Sequence, residues 1–128
     1  MFHQNKNIFD ILFEAIPEGV IVVNNAQIIV AANSSAEKMF GYNNKELNNQ
    51  NLSVLIPKRY AIHHNSHFNL FLKNKKIRKI EHSLNLFGIT KKNKEFPLEI
   101  GLNPFTVNDE TFVIALIIDV TKRKETEK

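Results

Sequence analysis

An α+β fold is what this sequence predicts, and three observations carry the prediction. Two β-branched runs, residues 19–23 and 27–32, stand two to three residues apart and read as a hairpin. Ile80, His82, Leu84 and Leu86 alternate with Glu81, Ser83 and Asn85, and Phe96, Leu98, Ile100 and Leu102 repeat that pattern, the period of a strand with one buried face. Helical spacing occurs ahead of and between these strands. Strands following one another through short turns pair antiparallel, so the pattern is not that of a doubly wound parallel sheet.

Each element has a local cause. Ile8, Leu12 and Ala15, with Phe9 and Phe13 beside them, have helical spacing that Ile16-Pro17 stops, which predicts a short leading helix over 10–15. Asn24-Asn25 ends the first strand. Asn33-Ser34-Ser35 supplies helix-capping side chains, Glu37 stands in the first turn where a helix dipole favours an acid, and Gly41 stops a helix of barely two turns. Further short helical pieces are expected at 44–47 and 52–55, and Pro57 opens a longer helix to about Leu72. Lys92-Asn93 lies where the hairpin between the two alternating strands must turn. The stretch 112–118 is apolar at nearly every position, as in a strand at a sheet centre, and the residues from Lys122 onward are charged and helix-prone.

Composition narrows the chemistry. With 128 residues, 43% hydrophobic and 23% charged, the chain is sized for one globular core. No apolar run is long enough to cross a membrane and residues 1–10 have no signal-peptide core, so a cytoplasmic location is expected. The absence of Cys removes disulfides, thiolate metal sites, thiol nucleophiles and cofactors bound through sulfur. The net charge of +4 comes from the runs 73–79, 91–94 and 122–124, which fall in predicted connections and the tail. A basic nucleic-acid-binding domain is therefore an alternative reading, not the leading one.

The stretch Asn33-Ser34-Ser35-Ala36-Glu37-Lys38-Met39-Phe40-Gly41-Tyr42, followed by Glu46-Leu47 and Leu55-Ile56-Pro57, resembles the PAS sensor-domain pattern. Leu86-Phe87-Gly88, Lys91 and Glu95-Phe96-Pro97-Leu98-Glu99-Ile100 look like that family's central hairpin, and Asp119-Val120-Thr121 like its closing signature. The departures are Asn48 and Asn93 where the family usually has Gly, and Glu81 with Ser83 where it has small residues. The resemblance implies a five-stranded antiparallel sheet in the order 2-1-5-4-3, with short helices and one long helix packed on one face. It divides the chain into an N-terminal helical cap over 1–17, a PAS sensor domain over 18–121 and the start of a signalling linker helix over 122–128.

By the same resemblance, a small ligand or cofactor lies between the sheet and the long helix. Projected at about 100° per residue, that helix puts Tyr60, His64, His67, Phe68 and Phe71 on one face, with His64 central. His82, Leu84, Ile100 and Leu102 face it from the strands. Counted without gaps, His64 falls on the iron-ligating histidine of the family's oxygen-sensing haem branch, which makes a haem-based gas or redox sensor one reading. That branch's distal arginine falls on Leu84. Many PAS domains carry His at this position without haem, so the cofactor's identity stays open. The cysteine adduct of the light-sensing branch and a thioester-linked chromophore are excluded by composition. Non-covalent flavin and a zinc ion shared by His64 and His67 are minor readings.

No enzymatic constellation stands out: Asp10, Glu14, Glu18, Glu37 and Glu46 fall where caps and solvent-facing turns account for them, and Glu81, Glu95 and Glu99 on outward registers. The expected function is that of a non-catalytic sensory module. A downstream effector, such as a histidine kinase in a two-component system or a diguanylate cyclase or phosphodiesterase, would receive the signal through the C-terminal helix, with Asp119 and Thr121 as relay residues at the junction. The leading helix is apolar over too wide an arc for one buried stripe, which predicts a homodimer through it.

Overall fold

A computed structural model describes residues 8–58 and 86–121 of the chain. The elements run α1 (Ile8–Ala15), β1 (Gly19–Asn24), β2 (Ile29–Ala32), α2 (Ser34–Phe40), a 3-10 helix at Leu52–Leu55, β3 (Leu86–Ile89), β4 (Glu95–Val107) and β5 (Glu110–Asp119). The strands form one antiparallel sheet in the order β2-β1-β5-β4-β3. The α+β class and strand order expected from the sequence are both found. Of the long helix expected over 57–72, residues 59–72 lie outside the described residues, as do residues 80–85 of the third predicted strand.

Local chemistry accounts for the turns. Asn24 closes the β1–β2 loop by accepting from the Ala26 and Ile28 amides through Oδ1, at 2.9 and 3.0 Å. Asn33 caps α2 by accepting from the Ala36 amide at 3.0 Å, and Gly41 ends it in the left-handed conformation at φ 79°. Asn93 turns the β3–β4 hairpin at φ 67°, which explains why Asn can stand there in place of Gly. Asn108 and Asp109, at φ 51° and 65°, make a two-residue turn that lets β4 and β5 pair out to Val107 and Glu110. β4 is therefore longer than the 96–102 expected. The helical piece expected over 44–47 is instead a run of turns in which Lys45 and Asn49 take positive φ, a conformation an α-helix cannot include.

The core lies on one face of the sheet. Ile21 and Val23 of β1, Ile29 of β2, Phe96 and Leu98 of β4 and Val113, Ala115 and Ile117 of β5 pack with Ala36 and Phe40 of α2, Leu47 and Leu55. Gly88 of β3 is required by this packing, because a Cβ there would come within 2.7 Å of Phe40 and 2.8 Å of Leu98. The Phe40 and Phe96 rings meet edge to face at 5.2 Å and fill that corner. The edge strand β2 is covered at its start by residues 49–52: the Ile29 amide donates to Gln50 and the Asn49 amide to the Ile29 carbonyl, both at 2.8 Å.

Candidate functional site

The inner face of the sheet is the part of the expected ligand site that the structure describes. Strand alternation and cross-strand register put Leu86 and Gly88 of β3, Phe96 to Leu102 of β4 at every second residue, and Ala115 and Ile117 of β5 on that face. Of the residues expected to line the site, Ile100 and Leu102 are found there, half-buried and packed on the core. Ile100 stands opposite Ile117, and Leu102 opposite Ala115. Tyr60, His64, His67, Phe68, Phe71, His82 and Leu84 lie outside the described residues.

Burial is uneven across this wall. Ile21, Val113 and Ile117 are at most 3% exposed beneath α2 and its neighbours, whereas Leu86, Ile100 and Leu102 are only half-buried. The corner at Gly88 is filled by Phe40 and Leu98, so the looser part of the wall lies over the middle of β4. From Phe96 to Leu102 every inward side chain is apolar. Such a wall shields the apolar face of a ligand from water and supplies neither charge nor metal ligand. Among the described residues, no group of three or more His, Asp or Glu side chains is arranged to hold a metal.

Two acids sit differently from their sequence reading. Glu37, expected at a solvent-facing helix start, is 6% exposed, and its Oε2 accepts from the Lys45 amide at 2.6 Å. The carboxylate is buried because it satisfies a backbone donor in the turn run that follows α2. Glu99 is on the outward register as expected, opposite Ile118, yet is also 6% exposed. Glu46 is exposed enough to meet water, and its two oxygens hold the turn run to the β3–β4 hairpin: one accepts from the Asn43 amide at 2.8 Å, the other pairs with Lys91. The Asn43 amide first, and then the Lys91 ammonium, hold its carboxyl below the usual range. Partial burial, and next the Glu46 charge, raise the Tyr42 phenol, while Lys91, 5.7 Å from the ring centre, opposes them.

The chain's exit from the sheet is tied down. Asp119 Oδ1 accepts from the Thr121 amide at 2.9 Å and from its hydroxyl at 2.6 Å. Val120 is buried, and its amide donates to the Pro97 carbonyl at 3.1 Å. Sequence reasoning recognised Asn33 only as a helix cap. In the structure it is fully buried, with both ends of its amide engaged: Oδ1 also accepts from the Val20 amide at 2.9 Å, while Nδ2 donates to carbonyls of α1 and of the loop leading to β1. The signal that could have found this is the placement of one Asn where a helix cap and the end of an edge strand coincide.

Comparison with known proteins agrees with this architecture. The family model described as a PAS domain matches residues 17–122. The sensor protein FixL of Bradyrhizobium diazoefficiens is 22% identical over 116 residues, covering 91% of this chain and 23% of that protein. The chain thus spans less than a quarter of that curated relative's length. The structure of an RNA-binding Light-Oxygen-Voltage receptor superposes with a TM-score of 0.75 at 21% identity, over 94% of this chain and 34% of the other. The PAS domain of nitrogen regulation protein NR(II) from Vibrio parahaemolyticus gives 0.70 at 15% identity, over 89% and 99% respectively.

Proposed function

The chain belongs to the PAS domain family, and from that premise we propose that it is the sensor of a signalling protein, binding a small ligand or cofactor between the inner face of the sheet and residues 57–72. The observation that carries this reading is the apolar, half-covered wall at Ile100 and Leu102, beside the buried core residues Ile21, Val113 and Ile117. PAS domains are sensory modules and generally not catalysts, and the described inner face offers no acid, base or nucleophile. Residues 1–17 serve as an N-terminal cap, 18–121 as the sensor, and 122–128 as the start of a linker. The linker carries the change in the sheet to a downstream effector in a two-component or cyclic-di-GMP system. Asp119 and Thr121 act as the relay at that junction, and α1, with its exposed apolar residues, joins two copies in a homodimer.

A second reading specifies the ligand as haem, held by His64. Its support is the position of His64 in the sequence, together with a facing wall that would suit the apolar surface of a macrocycle and adds no competing ligand. Haem would supply the site with an iron that takes a gas or changes redox state; the chain's own part is to exclude water from one side.

Both readings are tested on the protein purified after expression with added haem, by its absorbance spectrum and by mass spectrometry of small molecules released on denaturation. A Soret band lost in His64→Ala establishes the haem reading, and no band overturns it. The wider reading expects a released compound that Ile100→Gln depletes. No released compound, or one retained equally by Ile100→Gln, overturns it.

A further inference from the structure

The described side chains of α1 are little buried on the domain. Of its described side chains only Phe13 is even half-buried, and Ile8, Ile11 and Leu12 are 41, 37 and 53% exposed. An isolated helix of eight residues has almost no stability in water. Polar contacts crowd at the helix's C-terminal end. Asn33 Nδ2 donates to the carbonyls of Phe13 and Glu18 at 3.1 Å and, less closely, to that of Ile16 at 3.4 Å. Ser35 Oγ donates to the Ile16 carbonyl at 3.1 Å. The Glu14 carboxylate accepts from the Ser34 amide at 2.8 Å and from its hydroxyl at 2.5 Å. Water would replace each of these partners on release, so their net hold is modest.

The other end of the Asn33 amide belongs to the core. Its Oδ1 accepts from Val20 at the start of β1 and from Ala36 in α2, at 2.9 and 3.0 Å. Gly19, beside Val20, pairs with Ile117, two residues before Asp119. The end of α1 is therefore pinned at the corner where the chain leaves the sheet.

We propose that α1 is a releasable strap pinned by the Asn33 amide, and that its release is felt at the start of β1 and the adjoining end of β5. This goes beyond ligand sensing, because it gives the domain a second input that acts from its N-terminal side. The two ends of one side chain separate the functions: Oδ1 keeps the core together and Nδ2 holds the strap.

Asn33→Asp tests this, since it keeps the acceptor for Val20 and Ala36 and sets a carboxylate oxygen against three carbonyls. Amide hydrogen exchange of the whole chain is compared at about pH 8, where aspartate is ordinarily ionised. The expected result is exchange at least about tenfold faster over residues 8–16 and measurably faster over 19–20 and 117–119, with residues 21–24 of β1 and α2 within about twofold of the wild type. Unchanged exchange over 8–16 overturns the pin, and release of α1 with 117–119 unchanged overturns the coupling. Comparable loss of protection in α1, β1 and α2 together makes Asn33 an ordinary core residue and also overturns it. Should Asn33→Asp fail to fold, the pair Glu14→Gln and Ser35→Ala loosens the strap without touching the core. That pair should speed exchange over 8–16 by about threefold or more, and no change there overturns the proposal. Repeating each comparison with Leu12→Glu removes contacts between copies through the exposed stripe.

Discussion

Single polar side chains organise this molecule by satisfying backbone groups that no strand or helix partner can reach. Asn33, Glu37 and Asp119 each do so at a different junction, and the first two are buried. Glu46 does the same at the surface, where its charge also matters. Its carboxyl is held below the ordinary value of 4.5 in the folded chain, by the Asn43 amide and then by Lys91. A depressed folded value means that the unfolded chain takes up protons first as the pH falls. The stabilisation is therefore full well above 4.5 and is lost as the pH drops through and below that value. Urea unfolding across this range should find Glu46→Gln less stable than the wild type at neutral pH, with the gap closing in acid. A gap independent of pH would show that the charge contributes nothing.

At the scale of elements, the contrast between α1 and β5 is the informative one. Both are rich in apolar residues, but β5 pairs with β1 and β4 and buries Val113, Ala115 and Ile117, while α1 leaves Ile8, Ile11 and Leu12 in water. A short helix with that much exposed apolar surface is suited to a second copy of itself. Leu12→Glu is the cleaner probe, because deleting residues 1–15 would also remove the partners of Asn33 and Ser34. Light scattering should show a dimer that Leu12→Glu converts to a monomer; a dimer that survives the substitution places the interface elsewhere. β3 is constrained differently, through Gly88. Filling that space would force Phe40, Leu98 or the strand itself to move, and overpacking of this kind typically costs about 1–3 kcal/mol.

At the scale of the whole molecule, antiparallel pairing brings the beginning of β1 to the end of β5, so the chain enters and leaves the sheet side by side. The apolar inner wall includes β5, and Asp119 accepts from the Thr121 amide where the chain leaves that same strand. A change at Ile100 or Leu102 thus has one strand to cross before reaching the exit. In a protein that carries its downstream unit, Asp119→Ala should leave ligand affinity within about twofold and reduce the ligand-dependent change in output about tenfold or more, since loss of a coupling free energy leaves intrinsic binding intact. Output that still follows ligand to the same extent would show that the signal leaves by another route.

The strand periods, the Asn and Gly residues at turns and caps, and the central apolar strand were legible in the sequence because each depends on the conformation and burial of neighbouring residues. The order of the strands came from resemblance, not from these patterns. Helix at 44–47 was misjudged because these turns, with Lys45 at positive φ, are held by a partner outside them: the Lys45 amide donates to the buried Glu37 carboxylate eight positions earlier. The length of β4 was missed because the turn at Asn108 and Asp109 extends the pairing past the clear alternation. Of the candidate site, Ile100 and Leu102 could be placed by alternation alone. What only the tertiary structure decided is which polar groups are buried and which apolar ones are not: Asn33 and Glu37 inside, Ile8 and Leu12 outside. Local spacing sets which way a side chain points along its own element, whereas burial depends on what other parts of the chain bring against it.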